Sequence, residues 1–358
     1  MSGLNDDKAV RTHRVTFQPN GVTIRCRSDQ TIADAALEQR VIVTVSCENG
    51  VCQVCQGERL SGQLRFRNEL GDAILEQENQ VLCCVAYPES DVEIVMTDVF
   101  APDHKQPATL ACQVKAVELL ADDVYRITLL APAGKAPDYW AGQYLMLHLT
   151  KEGADEEQIP YSVACAPGTV TGREPREIEL HIAANSDKAR EVVSFLQQAV
   201  IARVTIPAGD CYINQHFLDQ RKGQPLLMVA AGSGFSQIKA LIEATLALDS
   251  EREIHLYWSN RAAVGFYLPE LPQTWQSDYP NFHYHPIIQE HADDWNGRAG
   301  WIYEVIHEDF DDLSNVAAFA CGSPNMVFGT LDQLEPLGLN ESNMYSDVFA
   351  YATRPAKD

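Results

Sequence analysis

Apolar and polar residues alternate from Arg14 to Arg27 around the turn signal Pro19–Asn20–Gly21, which predicts a β-hairpin. Asp29 and Thr31 offer N-caps to a short helix running to Gln39. Leu60–Ser61–Gly62 is a further turn signal and Asp91–Val95 a further strand. This first part reads as a small β-rich domain with one clear helix. Ala101–Pro107 is polar, with two prolines, and reads as a linker. From Leu110 to about Pro207 the period of two returns in short segments: Cys112–Glu118, Val124–Leu130, Tyr144–Leu149, Glu177–Ile182 and Ala202–Ile206. One helical stretch, Lys188–Gln198, interrupts them. Short strands at regular spacing suggest a barrel.

Past Gln224 the pattern changes. Pro225–Ala230 is a buried-strand run, followed by Gly232–Ser233–Gly234 and a helical pattern to Ala247. Ile254–Trp258, Phe282–Ile288 and Val316–Cys321 read as strands, and Trp301–Glu308 and Met326–Leu334 as helices. Strand and helix in alternation predict a parallel α/β sheet. The chain carries no internal repeat and no low-complexity segment.

Length and charge narrow the function. A chain of 358 residues has room for two or three domains, each with its own core. The net charge of −23 repels phosphate backbones and anionic lipid, which argues against nucleic-acid or membrane-surface binding. It serves solubility or forms an acidic face for a basic electron-transfer partner. No apolar run approaches a membrane span, and Met1–Thr16 has no signal-peptide core, so a cytoplasmic protein is expected.

The cysteines change the picture most. Of ten, Cys47, Cys52, Cys55, Cys83 and Cys84 crowd one stretch. Without a secretory signal, such crowding favours metal ligation over disulfides. Cys47-x4-Cys52-x2-Cys55 with a distant fourth cysteine is the plant-type [2Fe–2S] spacing. The close ligands wrap one side of the cluster and the distant one closes the other. Gly50 suits the tight turn this requires. A zinc site would favour paired knuckles, and only one such pair exists. Cys83 and Cys84 are adjacent, so in extended backbone only one of them faces the cluster.

Three further motifs are weaker alone. Ala230–Ala231–Gly232–Ser233–Gly234 follows a strand and opens a helix, a context in which backbone and helix N-terminus receive a pyrophosphate. The full G-x-G-x-x-G fingerprint is absent, because position 237 is Gln. Cys321–Gly322–Ser323–Pro324–Asn325–Met326 would pass for an ordinary strand-to-helix turn. Pro160–Tyr161–Ser162 offers a ring that can stack on an isoalloxazine and a hydroxyl that can bond flavin N5.

Together these pieces resemble the ferredoxin–NADP reductase superfamily with an N-terminal ferredoxin, over nearly the whole chain. The resemblance extends to oxygenase reductase components and to the CDP-6-deoxy-Δ3,4-glucoseen reductase (CDP-4-dehydro-6-deoxyglucose reductase) group. It implies a multidomain α+β and α/β fold: a β-grasp [2Fe–2S] domain over 1–100, a linker at 101–108, an antiparallel flavin-binding β-barrel over 109–222, and a Rossmann-like nucleotide domain over 223–358. The string Cys84–Val85–Ala86–Tyr87–Pro88 resembles a ferredoxin ending, which selects Cys84 as fourth ligand and leaves Cys83 in the core. Tyr161 and Ser162 match the end of the Arg-x-Tyr-Ser flavin motif, and Tyr144 the barrel strand before it. Gly232, Ser233 and Gly234 match the nucleotide loop, and Cys321 and Gly322 the motif near the nicotinamide. Asp347 and Phe349 resemble the C-terminal carboxylate and aromatic that lie over the flavin.

The implied protein is an NAD(P)H-dependent oxidoreductase. Electrons pass by way of FAD and the [2Fe–2S] cluster to a protein partner such as an oxygenase or a sugar dehydrase, and the chain is a monomer. The resemblance places Ser162, Cys321, Asp347 and Phe349 at the reacting centre. One departure matters: the motif arginine is Ile159 here. Ser186 as a helix cap, with Lys188 and Arg190 behind it, is the substitute for that phosphate-neutralising cation. The same departure supports a second reading, an NAD(P)H–flavin reductase holding FMN or another flavin loosely. A third is a non-catalytic redox sensor or electron carrier. Arg261 after the second nucleotide strand meets a 2′-phosphate or stacks on adenine, and NADH is the expected donor over NADPH.

Overall fold

The computed structural model describes residues 10–19, 21–67, 79–101, 103–149, 156–290 and 292–354. Asn20 of the first turn signal and Pro102 of the linker lie outside them. The chain forms two compact units, Met1–His104 and Lys105–Asp358.

In the first unit the hairpin forms as β1 (Thr12–Gln18) and β2 (Val22–Arg27), and the cap as α1 (Ile32–Glu38). Thr31 Oγ accepts from the Asp34 N–H at 3.1 Å, which satisfies one orphan donor of the helix start. Five more strands follow: β3 (Gln56–Ser61), β4 (Leu64–Phe66), β5 (Gln80–Leu82), β6 (Ala86–Pro88) and β7 (Val92–Val95). The main sheet has the order β2-β1-β7-β3-β5, with β1 and β7 parallel, a β-grasp arrangement. Alternation sends Val15, Phe17, Ile24 and Ile94 to one face, where Ile32, Ala35 and Ala36 of α1 cover them.

The second unit holds two sheets. The first is antiparallel: β8 (Ala108–Ala121), β9 (Val124–Leu130), β10 (Tyr144–Leu149), β11 (Glu157–Ser162), β12 (Glu177–Ala183) and β13 (Ile201–Ala208), in the order β11-β10-β13-β8-β9-β12. A bridge between Val163 and Leu180 joins the two ends, so the sheet curls into the expected barrel. Helices α2 (Gly168–Thr171), α3 (Asp187–Gln198) and α4 (Gln215–Gln220) accompany it. β11 opens with the exposed polar pair Glu157–Gln158 and carries Pro160, so its short Ile159–Tyr161 alternation does not announce a strand. Pro160 is tolerated on an end strand, where a missing N–H breaks little.

The second sheet is parallel, with the order β17-β16-β15-β14-β18-β19. Its strands are β14 (Leu226–Ala231), β15 (Ile254–Asn260), β16 (Phe282–Ile288), β17 (Arg298–Ala299), β18 (Ala317–Cys321) and β19 (Met344–Tyr345). The helices are α5 (Phe235–Leu248), α6 (Glu270–Asp278), α7 (Ile302–Asp309), α8 (Pro324–Leu334) and α9 (Val348–Tyr351). Two apolar clusters, around Trp258 and around Tyr257, cover its two faces. Strand order reverses between β14 and β18, the switch point at which α/β sheets open a crevice beyond their carboxyl ends.

A buried ion cluster ties α5 to the barrel. Lys239 Nζ lies 2.8 Å from Glu243, 3.1 Å from Glu179 of β12 and 2.8 Å from the Ala164 carbonyl. Burial works against the Glu179 carboxylate, but the hydrogen bond from His181 and the charge of Lys239 outweigh it and hold Glu179 far below the usual range.

Candidate functional site

In the first unit, the loop from Cys47 to Cys55 winds with Glu48, Gly50 and Gln53 at positive φ. Two of these are not glycine, a backbone cost that persists where surroundings demand it. The result turns N–H groups toward sulfur. Cys52 N–H donates to Cys47 Sγ at 3.3 Å, and donors at Cys52 and Asn49 bring the Cys47 thiol down to about 6. Cys84 hydrogen-bonds the Cys55 thiol, and the Gly50 N–H points at it. Burial pushes the Cys84 thiol up to about 12, so iron ligation there displaces a proton. Cys83 is fully buried among Cys26 and the strand core. The donor set, two thiol pairs with inward N–H groups, fits a [2Fe–2S] cluster. Cys47, Cys52, Cys55 and Cys84 are the residues that would hold it.

In the second unit the switch point puts Ala230–Ala231 beside Cys321–Gly322. Gly234 is required there: a Cβ would sit 2.2 Å from the Cys321 carbonyl oxygen. Trp258 Nε1 donates to the Gly232 carbonyl at 3.0 Å and its ring stacks on Phe235 at 3.9 Å, which pins the loop. Two cavities flank the turn after Cys321. The first, 730 Å³, is lined by Gly232, Ser233, Asn260, Arg261, Tyr267 and Ser323, with Asp122 and Asp123 on its barrel wall. Among the described residues, Arg261 is its only lysine or arginine. The second, 780 Å³, is lined by Tyr144, Pro160, Ser162, Cys321, Gly322 and Asp347, with Phe349, Tyr345 and Tyr351 as aromatic walls. Both have the size of ordinary cofactor sites.

The pleat decides which barrel residues reach the second cavity. Tyr144 pairs with Ser162 and Met146 with Pro160, so these four share one face. Leu145 pairs with Tyr161 and Leu147 with Ile159, and those four face the barrel core. Tyr161, expected to stack on a flavin, is thus turned away from the cavity, and Tyr144 stands in its place. Ile159 sits in apolar packing, so an arginine side chain there would enter the barrel core. The other expected cations are engaged elsewhere. Lys188 pairs with Glu157 and Glu191, and Arg190 with Asp187 at 2.7 Å. Ser186 caps α3, accepting from the Ala189 N–H at 3.2 Å, but lines neither cavity. No lysine or arginine among the described residues lines the second cavity. An isoalloxazine fits its aromatic walls, Ser162 and Asp347; a flavin phosphate finds no cation there.

Sequence reasoning missed one buried residue. Gln237 stands where the dinucleotide fingerprint would have its third glycine. Its Nε2 donates to the Gly142 carbonyl of the barrel at 2.6 Å and to Asp347 Oδ2 at 2.7 Å. Burial raises Asp347 to about 6; Gln237 and the Cys211 N–H pull it down, and Asp210 pushes it up. Burial, with the nearby Asp347 carboxylate, lifts the Cys321 thiol to about 12, so it is a neutral thiol at pH 7. Tyr345 and Tyr351 of the cavity wall carry no motif signal. The one sequence clue to Gln237 was that it replaces the third glycine of the dinucleotide fingerprint.

Comparison with known proteins follows the same division. Residues 15–89 match the 2Fe-2S iron-sulfur cluster binding domain family, and residues 228–331 the oxidoreductase NAD-binding domain family. The CDP-6-deoxy-L-threo-D-glycero-4-hexulose-3-dehydrase reductase of Yersinia pestis is 27% identical, covering 94% of this chain and 98% of its own. Terephthalate 1,2-dioxygenase reductase component 1 of Comamonas is 28% identical over 94% of this chain and 97% of its own. The chain is an oxidoreductase that combines a 2Fe-2S iron-sulfur cluster binding domain with an oxidoreductase NAD-binding domain. Among solved structures, a cytochrome P450 reductase from Amycolatopsis superposes with a TM-score of 0.61 at 23% identity, covering 94% of this chain and 98% of its own; at that identity the likeness is one of fold. Among the described residues no helix is long and apolar enough to cross a membrane.

Proposed function

We propose that the chain is a cytoplasmic, NADH-dependent reductase component that holds flavin in the aromatic cavity of its second unit. It delivers electrons through the [2Fe–2S] cluster to a protein acceptor of the oxygenase or sugar-dehydrase kind. The observation that carries this reading is the pair of cavities flanking the Cys321–Ser323 turn. Gly232, Ser233 and Arg261 would hold the nicotinamide nucleotide in one, and Tyr144, Ser162 and Asp347 the flavin ring in the other. Bound flavin supplies the conversion of a two-electron hydride donor into one-electron transfers that a cluster accepts. The chain's own residues bind and orient. Ser162 offers a hydroxyl at the cavity floor, Asp347 a carboxylate held by Gln237, and Gly234 lets α5 approach β18. Phe349 and Tyr351 add aromatic wall to the cavity. Asp122 and Asp123 on the nucleotide wall disfavour an additional 2′-phosphate, which supports NADH over NADPH.

A second reading, in which flavin is exchanged as a substrate, is favoured by the lack of a lysine or arginine among the described residues lining the flavin cavity. A Cys52→Ser variant separates the two. As a reductase component, it loses cytochrome c reduction while retaining NADH-driven reduction of bound flavin. If cytochrome c reduction persists unchanged without the cluster and free riboflavin is turned over rapidly, the flavin-reductase reading takes its place.

A further inference from the structure

Away from both cavities, metal-binding side chains converge at the amino end of the parallel sheet. β15 and β16 run side by side with His255 in register with His283, so both imidazoles leave the sheet on one face. Glu253 lies two residues before His255 and so on the same side. The imidazoles stack with centroids 4.6 Å apart and planes 26° from parallel. Glu253 Oε1 is 3.0 Å from His255 Nε2. One ligand atom from each of Glu253, His255 and His283 lies within 4.8 Å of the other two.

These are the donor types that zinc takes, with bonds of about 2.0–2.2 Å and hence ligand atoms roughly 3.5 Å apart in a tetrahedron. Small side-chain rotations close the difference, since Glu253 is exposed and both histidines are partly exposed. The surroundings hold the imidazoles in place. Phe310 meets His255 edge-on at 5.0 Å, and the His285 ring lies parallel to His255 at 6.0 Å. Among the described residues His285 Nε2 is buried without a hydrogen-bond partner, although Asp309 stands 3.8 Å from its Nδ1.

We propose that Glu253, His255 and His283 bind one divalent first-row transition ion, zinc by ligand type, with water completing its coordination. Imidazole suits zinc, copper and nickel, while the hard ions magnesium and calcium prefer all-oxygen sites. The ion pins β15 to β16 at the end of the sheet opposite the Gly232–Gly234 loop. It therefore acts on the stability of the sheet and leaves NADH affinity alone.

The test uses the untagged holoprotein, with its iron content verified, titrated with zinc chloride by calorimetry after chelator treatment and dialysis. One zinc per chain is expected, together with a higher melting temperature and unchanged NADH affinity. The His255→Ala/His283→Ala double variant loses that binding event. Glu253→Gln weakens it by on the order of tenfold or more, at least the cost of losing an outer-shell partner. His283→Gln, which keeps volume and polarity, guards against misfolding as the explanation. Absence of zinc binding in the parent, or binding that persists at the same affinity in the double variant and in His283→Gln, overturns the proposal.

Discussion

Replacing Gln237 by Met removes both hydrogen bonds to Gly142 and Asp347 while nearly preserving side-chain volume. The informative consequence is at Asp347. A hydrogen bond to a charged group contributes about 1.5–3 kcal/mol. Each pKa unit is about 1.4 kcal/mol of preference between protonation states. Loss of the Gln237 amide therefore lifts Asp347 by roughly one to two units, from a starting point of about 6. The sign for folding is fixed. Asp347 titrates higher in the fold than its ordinary 3.8, so its neutral form is favoured there. That contribution is complete below pH 3.8 and is lost as pH rises through the folded value. In Gln237→Met the loss still begins near pH 3.8 but extends to just above neutrality. Two assays report it: denaturant stability of the whole chain as a function of pH, and the pH dependence of NADH-driven flavin reduction. Both midpoints move up together. A midpoint that stays near the parent value in both would refute the hydrogen bond as the control on this carboxylate.

Further outcomes follow from the same geometry. Cys84→Ser abolishes the cluster spectrum whereas Cys83→Ser keeps it, as iron analysis and visible absorbance will show. Ser162→Ala slows flavin reduction in stopped flow without changing iron content. Lys239→Met leaves Glu179 and Glu243 without their buried cation and destabilises the second unit by about 3–5 kcal/mol, measured by denaturant melting. Ile159→Arg, instead of restoring flavin affinity, lowers stability, because position 159 packs on the barrel core; flavin fluorescence titration and melting together check this.

Much of the architecture was legible because period and spacing are local. The alternation around Val15 and Phe17, the apolar run of β14 and the cysteine spacing each depend on a few neighbouring residues. What the sequence hid depends on register and on distant pairing. Whether Tyr161 or Ser162 faces the cavity is decided by the pairing of β11 with β10, and the short, proline-interrupted alternation of β11 is too weak a signal to reveal it. Lys188 reads as a free cation until Glu157, thirty-one positions away, is brought beside it. Gln237 and Asp347 are 110 positions apart, and only the folded switch point joins them. The motifs thus pointed to segments, while side-chain direction came from the sheet.

The most direct test of the central claim is an anaerobic titration of the purified protein with NADH, followed by visible absorbance. The account expects flavin and iron–sulfur bands that both bleach as NADH is added. A cluster spectrum that stays oxidised under excess NADH, even with FAD, FMN or riboflavin supplied, would contradict it.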